Sequence, residues 1–316
     1  MSVRVRPSIL IVHPDRKTQR VVQRILGVTG HPIEVADDFE QGIRLVAYFQ
    51  PILVVVDGSA LTAPHAIAFF DAARARGAEA VMALLGNTGN DTLPKILDAG
   101  VVTNLLVHPM PVLGEELAIT AQKLIRRDLF GAEKYLLWGT ALEDVTLVRS
   151  QQRPAIVQQI SEQVRARNQS ARVASTAMLV ADELLSNAIH NAPVDPSGIH
   201  YRADRGRDQD FELDAAHEVR LRWGCDARYL AIEVTDKFGS LYSDVILRAL
   251  GKRDVREHGE GAGMGIALAY RSCDHLVFNL APGRRTEIIA LIDVRYPQAE
   301  RMSASSYNVF VERSAL

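Results

Sequence analysis

The chain has 316 residues, which is more than one hydrophobic core of ordinary size organises, so two domains are expected. Its formal charge of -2 gives no overall field that would attract nucleic acid or an acidic membrane. Cys225 and Cys273 are too few for a disulfide scaffold and fit a reducing compartment. The apolar run from Ile9 to Val12 is too short for a signal peptide or a membrane span. We therefore expect a cytoplasmic protein.

Strand and helix patterns alternate through residues 1–128. Amphipathic spacing predicts helices over Thr18 to Leu26 and Phe39 to Tyr48. Short apolar runs predict five strands, at Ser8 to Val12, Ile33 to Val35, Ile52 to Val56, Val81 to Leu85 and Asn104 to Val107. This alternation predicts an α/β doubly wound domain with a five-stranded sheet.

Asp57 follows the third predicted strand, and this half of the chain resembles a response-regulator receiver domain. The resemblance implies that Asp57 is a candidate phosphoacceptor. His13 and Pro14 stand where receivers carry the acidic pair that holds Mg²⁺, Leu85 replaces a hydroxyl residue, and His108 replaces a lysine. Because Mg²⁺ requires oxygen ligands, we expect a degenerate receiver that is not switched by Mg²⁺-dependent phosphorylation.

His13, Asp57 and His108 follow the first, third and fifth strands, whose carboxyl ends meet at the edge where open α/β sheets bind ligands. Such a trio could ligate zinc or another transition metal. Alternatively, it is a polar cluster left in a pocket that has lost its chemistry. The second interpretation is favoured, because the sequence shows no fourth ligand.

Residues 129–144 are predicted to form an ordered linker with aromatic anchors such as Phe130 and Trp138. No coiled-coil heptads and no phosphorylatable histidine motif precede residue 145, which argues against a histidine kinase. Over residues 145–316, helical patterns are followed by paired strand patterns, which predicts an α+β two-layer sandwich. Residues 193–218 are rich in turn-forming residues and are interpreted as an insertion.

Four features follow one another in this second half. Ala181 to Ile189 has an acidic and amide helical pattern, Asp236 follows an apolar strand, Gly261 to Gly265 is a glycine-rich turn, and Thr286 begins a late strand. This order resembles the nucleotide site of the GHKL, or Bergerat-fold, ATPases. Within that family it is most similar to the anti-sigma-factor serine kinases. The resemblance covers about residues 145–295 and implies ATP and Mg²⁺ as cofactors.

Glu183 and Asn187 are four residues apart and share one helical face. By resemblance, Asn187 would offer its amide oxygen to Mg²⁺, and Glu183 would orient or deprotonate the attacking hydroxyl. Asn191, one turn further on, would extend the polar face toward the nucleotide. A solvent-facing helix with ordinary polar residues is the simpler alternative.

The resemblance makes Asp236 an acceptor for the exocyclic amine of adenine, with Thr286 beside it. The family continues with Asp-x-Gly-x-Gly, whereas Phe238 occupies the first glycine position here. Either Gly239 takes over the close backbone approach or adenine binding is impaired.

Gly261, Gly263 and Gly265 expose backbone N–H groups ahead of a predicted helix and would bind phosphate. Residues Leu241 to His258 would form a mobile lid over the nucleotide. A flexible loop before a helix is the alternative interpretation.

The sequence thus predicts a signal-transduction regulator in which a pseudo-receiver controls an ATP-binding domain. Its partner would be a signalling protein, an anti-anti-sigma-like or sigma-like substrate phosphorylated on serine or threonine, and a homodimer is compatible with the receiver fold. The competing hypothesis is a docking protein without catalysis. The sequence offers no helix-turn-helix and no basic stripe in favour of DNA binding.

Overall fold

The computed structural model describes residues 8–61, 63, 65–85, 93, 96–97, 100–107, 112–203, 205–207, 209–251, 263–295 and 305–312. The chain divides into two compact units, Met1–Leu129 and Phe130–Leu316. Among the helices of the described ranges, none combines the length and the apolar composition needed to cross a membrane.

Unit 1 is a parallel sheet with helices. Its strands pair in the order β2-β1-β3-β4-β5. This is the flavodoxin-like order of doubly wound folds, so the predicted α/β architecture is confirmed. The strands are β1 (Ser8–Val12), β2 (Ile33–Ala36), β3 (Pro51–Asp57), β4 (Ala80–Leu84) and β5 (Asn104–Leu106). The described helices are α1 (Arg16–Gly27), α2 (Phe39–Tyr48), α3 (Ala66–Ala75) and α4 (Val112–Arg126).

Local signals set the helix starts in unit 1. Asp15 caps α1 by accepting a hydrogen bond from the Thr18 amide at 2.8 Å, and Asp38 caps α2 through the Gln41 amide at 2.7 Å. Every residue of β1 and β4 is buried, which explains their continuous apolar sequence in a sheet covered on both faces.

Unit 2 is a mixed sheet with helices against it. The strands run in the order β11-β9-β10-β8-β7-β6, antiparallel except that β11 is parallel to β9. They are β6 (Glu143–Leu147), β7 (Val219–Cys225), β8 (Tyr229–Asp236), β9 (His275–Ala281), β10 (Arg285–Asp293) and β11 (Ser306–Val311). The helices are α5 (Gln152–Ala166), α6 (Ala171–Ser186), α7 (Ser243–Gly251) and α8 (Met264–Ser272). The α6 helix packs against β8, β10, α5 and α8.

Two elements of unit 2 differ from the sequence prediction. The strand β11 was not predicted, and residues 243–251 form the helix α7 where a mobile lid was expected. The α7 helix packs against α8 and buries Ile246, Leu247 and Leu250. This apolar stripe stabilises the helix, and its movement as a lid stays a prediction. The rest of the expected lid, residues 252–258, lies outside the described residues.

The two faces of the unit 2 sheet have different chemistry. One face carries an apolar set that includes Ile232 and Ile288, whereas the other carries the buried side chains of Glu233 and Glu287. Residues of the predicted linker contact this polar face. The amide of Gly131 donates to Glu287 Oε1 and that of Ala132 donates to Glu233 Oε2, both at 2.8 Å.

An arginine completes the polar face. Arg222 donates to both carboxylate oxygens of Glu233, from Nε at 2.7 Å and from Nη2 at 2.5 Å. Burial opposes the charge of Arg222, but the hydrogen bonds and the charge of Glu233 outweigh burial and raise the guanidinium pKa. Asn279 Nδ2 donates to Glu287 Oε1 at 2.7 Å, so each buried carboxylate is matched by donors.

Candidate nucleotide site

The polar face of α6 continues into a π-helical segment, Asn187–Asn191. The Ala192 amide donates to the Asn187 carbonyl at 2.9 Å, which is the i to i+5 bond that defines a π turn. Asn191 Nδ2 donates to Asn187 Oδ1 at 3.4 Å, so the two amides remain adjacent. The predicted helix from Ala171 to Asn191 therefore exists, but its last turn is wider than the 3.6-residue spacing implies. Turns of this kind occur frequently at functional sites.

Glu183 lies at the amino-terminal end of α8. A Cβ atom placed on Gly265 would be 2.5 Å from Glu183 Oε2, so the carboxylate packs directly on the glycine backbone. Gly263, with φ of 103°, precedes the helix and gives it no side-chain cap. The first amides of α8 thus face an acidic group, as the helix dipole favours. Gly261 lies outside the described residues.

Asp236 organises the turn after β8. Its Oδ1 atom accepts the amides of Phe238 at 2.8 Å and Gly239 at 3.2 Å. The side chain is almost entirely buried, and burial raises the pKa of the carboxyl to about 6 despite these hydrogen bonds. A buried carboxyl whose pKa is raised in this way marks a candidate functional position.

Gly239 closely approaches other backbone of its own chain, and its role at adenine stays a prediction. It has φ of 60°, and a Cβ atom there would lie 2.6 Å from Arg284 N and 2.7 Å from Arg285 N. The Gly283 amide also donates to the Gly239 carbonyl at 3.0 Å. The nearby backbone is therefore that of the β9–β10 turn, and packing alone requires glycine at this position.

Thr286 stands opposite Asp236 in the β8–β10 ladder. Its hydroxyl is buried and makes no hydrogen bond of ordinary geometry, although it is close enough to the Asp236 carboxyl to lower its pKa. A buried hydroxyl without a well-formed partner beside a buried carboxyl leaves polar capacity for a ligand.

A hydrogen bond joins the Asp236 turn to the α6 side of the site. Ser240 Oγ donates to the Ala192 carbonyl at 2.7 Å, directly after the π segment. Glu183 on the same helix meets Gly265, and Thr286 pairs with Asp236. These pairwise contacts link the described parts of the four motifs that the sequence singled out.

Phe238 contacts the inserted segment 193–218. Its ring lies 5.3 Å from that of His217, and the neighbouring Lys237 donates to Glu218 Oε2 and to the Ala215 carbonyl, each at 2.7 Å. Phe238 therefore anchors the insertion at the position where glycine was expected. Sequence reasoning missed this role, because no local pattern connects residues 217 and 238.

The insertion also brings charge to α6. Arg207 Nη1 is 3.9 Å from Glu183 Oε1, and Arg153 of α5 pairs with Asp182 at 3.0 Å. His190, in the π segment, is buried. Burial first, and then the positive charges of neighbouring arginines, lower its pKa to about 4. The histidine is therefore neutral at physiological pH.

The predicted receiver site in unit 1 is partly described. Asp57 ends β3 as expected, and its carboxylate accepts the Ser59 amide at 2.9 Å and the Ser59 hydroxyl at 2.8 Å. His13 Nδ1 accepts the Asp15 amide at 3.0 Å. His108 lies outside the described residues, so the metal hypothesis for the trio stays a prediction. Within the residues that the structure does describe, no group of three His, Cys, Asp or Glu side chains is arranged to hold a metal ion.

Comparison with known proteins gives matches among solved structures. No protein-family model matches the chain, and no curated protein matches it at a significant level. Among solved structures, it is similar to the receiver domain of the Francisella response regulator 1452, with 19% identity and a TM-score of 0.32 over 39% of this chain and 98% of that one. It is also similar to the Legionella pneumophila response regulator LqsR, with 11% identity and a TM-score of 0.31 over 95% of this chain and 92% of that one. Both TM-scores are low, so the fold assignment of unit 1 rests on its own strand order.

Proposed function

We propose that unit 2 binds Mg-ATP and transfers its terminal phosphoryl group to a serine or threonine of a partner protein in signal transduction. Two observations support the proposal: Glu183 packs against Gly265 of α8, and Asp236 lies opposite Thr286 in the sheet. Each of these residues lies at a position that the GHKL resemblance assigns to the nucleotide.

The side chains suit the parts of such a ligand. The Asp236 carboxylate is an acceptor in a buried position, and adenine offers an amine donor. The uncapped amides at the start of α8 are donors for phosphate oxygens. Asn187 supplies an amide oxygen of the type that Mg²⁺ accepts.

Glu183 would be the general base. Its carboxylate is mostly buried. Among the described residues, Arg207 is its ion-pair partner, at 3.9 Å. This leaves an oxygen free to accept the proton of an attacking hydroxyl. Unit 1, with Asp57 at the receiver position, would regulate this site through protein contacts.

A paired substitution tests the catalytic role. Glu183→Gln keeps the shape of the side chain and removes the base, so ADP formation from Mg-ATP should fall by about 100-fold or more, within the range for general-base catalysis. Asp182→Asn is the control, because the carboxylate of Asp182, next to Glu183 in the chain, pairs with Arg153. Equal rates in wild type and Glu183→Gln would refute the assignment.

One observation favours a non-catalytic docking protein. Asp236 Oδ1 and Gly239 are both engaged by their own chain, in the turn and against the β9–β10 backbone. In this alternative, the site is a relic of the fold and the surface binds a partner without nucleotide. Absence of Mg-ATP binding by the full chain would favour the docking function.

A further inference from the structure

A group of four arginines surrounds the buried face of the π segment. Arg153 comes from α5, and the inserted segment supplies Arg202, Arg205 and Arg207. All four act electrostatically on His190. We call these four residues the arginine cluster.

Two arginines of the cluster contact the same aromatic ring, that of Phe211. The guanidinium of Arg202 lies 5.0 Å from the Phe211 ring centre and that of Arg205 lies 5.3 Å from it. His190 meets the same ring edge-on at 5.7 Å. Stacking on Phe211 stabilises two like charges side by side and fixes the direction of their donors.

A buried arginine of the cluster and the adjacent His190 each have a ring or guanidinium nitrogen without a hydrogen-bond partner. Arg202 is 8% exposed, and its Nη1 atom has no hydrogen-bond partner. His190 is 4% exposed, and its Nδ1 atom also lacks a partner. Burial of a guanidinium donor without an acceptor is unfavourable, so this arrangement is suited to binding an anion.

Two arginines of the cluster are exposed to solvent, where an anion can contact them. Arg205 and Arg207 are exposed, whereas Arg202 lies beneath them. Arg153 Nη2 donates to the Arg207 carbonyl at 3.4 Å, which ties the insertion to α5. An anion would enter past the two exposed guanidinium groups and reach Arg202.

We propose that the arginine cluster binds a phosphate dianion, either free or as the terminal phosphate of a nucleotide. Guanidinium groups match phosphate oxygens with two parallel hydrogen bonds, and the tetrahedral dianion offers enough acceptors for several of them. This site lies beyond the proposed nucleotide function, because free phosphate can bind here whether or not the adenine end of that site works.

Titration calorimetry on the full chain at constant ionic strength tests the proposal. The probes are inorganic phosphate, ATP and AMP, with Arg202→Met and Arg205→Gln as variants and Arg165→Gln as the matched control, an exposed arginine in the last turn of α5. Arg202→Met places an apolar chain in a buried position, so the fold should persist. We expect both cluster variants to weaken inorganic phosphate binding by about tenfold or more, whereas the control binds as wild type does.

The titrations with ATP and AMP distinguish free phosphate from the terminal phosphate of a nucleotide. If only ATP loses affinity in the cluster variants and AMP does not, the phosphate is the terminal group of the nucleotide, which also supports the site. Asn187→Ala should weaken ATP and leave inorganic phosphate unchanged, so a failed nucleotide site is distinguishable from a failed arginine site. Unchanged affinity for phosphate and ATP in both cluster variants overturns the proposal.

Discussion

The carboxylate of Glu183 and the backbone of Gly265 are in direct contact between α6 and α8. A Cβ atom at position 265 would lie 2.5 Å from Glu183 Oε2. The acidic group therefore occupies the place at the α8 amino terminus where the helix dipole favours negative charge. A phosphate bound at the same helix end would be next to this carboxylate, which is where a general base for phosphoryl transfer is needed.

Gly265→Ala is expected to displace the Glu183 carboxylate without unfolding the protein. The clashing atom is the end of a flexible side chain, and alanine favours a helix over glycine by about 0.5–1 kcal/mol, so the free energy of unfolding should change by less than about 1 kcal/mol. ADP formation from Mg-ATP should fall as in Glu183→Gln. Urea unfolding and an ADP-formation assay measure the two effects. A large loss of stability would show that the Glu183 side chain cannot move away from residue 265.

Gly239→Ala is expected to destabilise unit 2 strongly. The residue has φ of 60° and faces the backbone of Arg284, which cannot yield as a side chain does. Strain and overpacking together should cost about 2–4 kcal/mol. Gly283→Ala is the control, because Gly283 has a similar φ of 68° but no atom within 4 Å of its Cβ position. Alanine there should cost only the backbone strain of a positive φ, about 1 kcal/mol. Equal losses of unfolding free energy in the two variants, measured by urea unfolding, would contradict the close approach of Gly239 to the Arg284 backbone.

Asp236→Asn is expected to stabilise the protein at alkaline pH. The folded pKa of about 6 is above the ordinary aspartate pKa of 3.8, so the folded state holds this proton more tightly than the unfolded state. Stability from the protonated carboxyl is complete below about pH 4 and is lost as the pH rises through 6. Asparagine keeps an Oδ1 acceptor for both amides and has no charge to bury. We expect a gain of about 1–3 kcal/mol at pH 8 that vanishes near pH 4.

Unfolding curves of wild type and Asp236→Asn at several pH values measure that difference. Asp195→Asn is a contrasting variant, because hydrogen bonds led by that of Ser197 lower the pKa of this exposed carboxyl. Its stability should decrease rather than increase at pH 8. A gain for Asp236→Asn that is the same at pH 4 and pH 8 would show that its charge is not the cause.

Glu233→Gln is expected to destabilise unit 2 by about 3 kcal/mol. The substitution leaves the guanidinium of Arg222 largely buried without its main anionic partner, and loss of one partner of a buried pair costs about 3–5 kcal/mol. The control is Asp144→Asn, which breaks an exposed pair with Arg220 on the same sheet and should cost about 1 kcal/mol or less. Similar costs in denaturant titrations would mean that solvent reaches the Arg222 pair.

Local patterns in the sequence predicted most strands and helices of both units. The apolar alternation predicted β7 and β8, and Asp57 was correctly placed at the end of β3. The sequence analysis assigned residues 241–258 to a lid over the nucleotide and did not predict that residues 243–251 form the helix α7. The π turn at Asn187 depends on one backbone hydrogen bond, which helical periodicity does not reveal.

Long-range contacts explain what the sequence missed at the site. Phe238 looked like a defect in the adenine motif, but its ring contacts His217 from the insertion. Gly239 is required by the β9–β10 turn, which is distant in the chain. Unpaired donors on Arg202 became visible only once Phe211 and His190 were placed beside it. Such contacts arise from tertiary packing, and no spacing rule predicts them.

Calorimetric titration of the full chain with Mg-ATP tests the central claim most directly. The account predicts a binding heat that disappears when Mg²⁺ is chelated. It also predicts an affinity about tenfold lower in Asn187→Ala, equivalent to about 1.4 kcal/mol, because the amide oxygen of Asn187 would hold the cation. Ser197→Ala, in the exposed turn of the insertion, is the control and should bind as wild type does. No heat and no shift in melting temperature at saturating Mg-ATP would contradict the account.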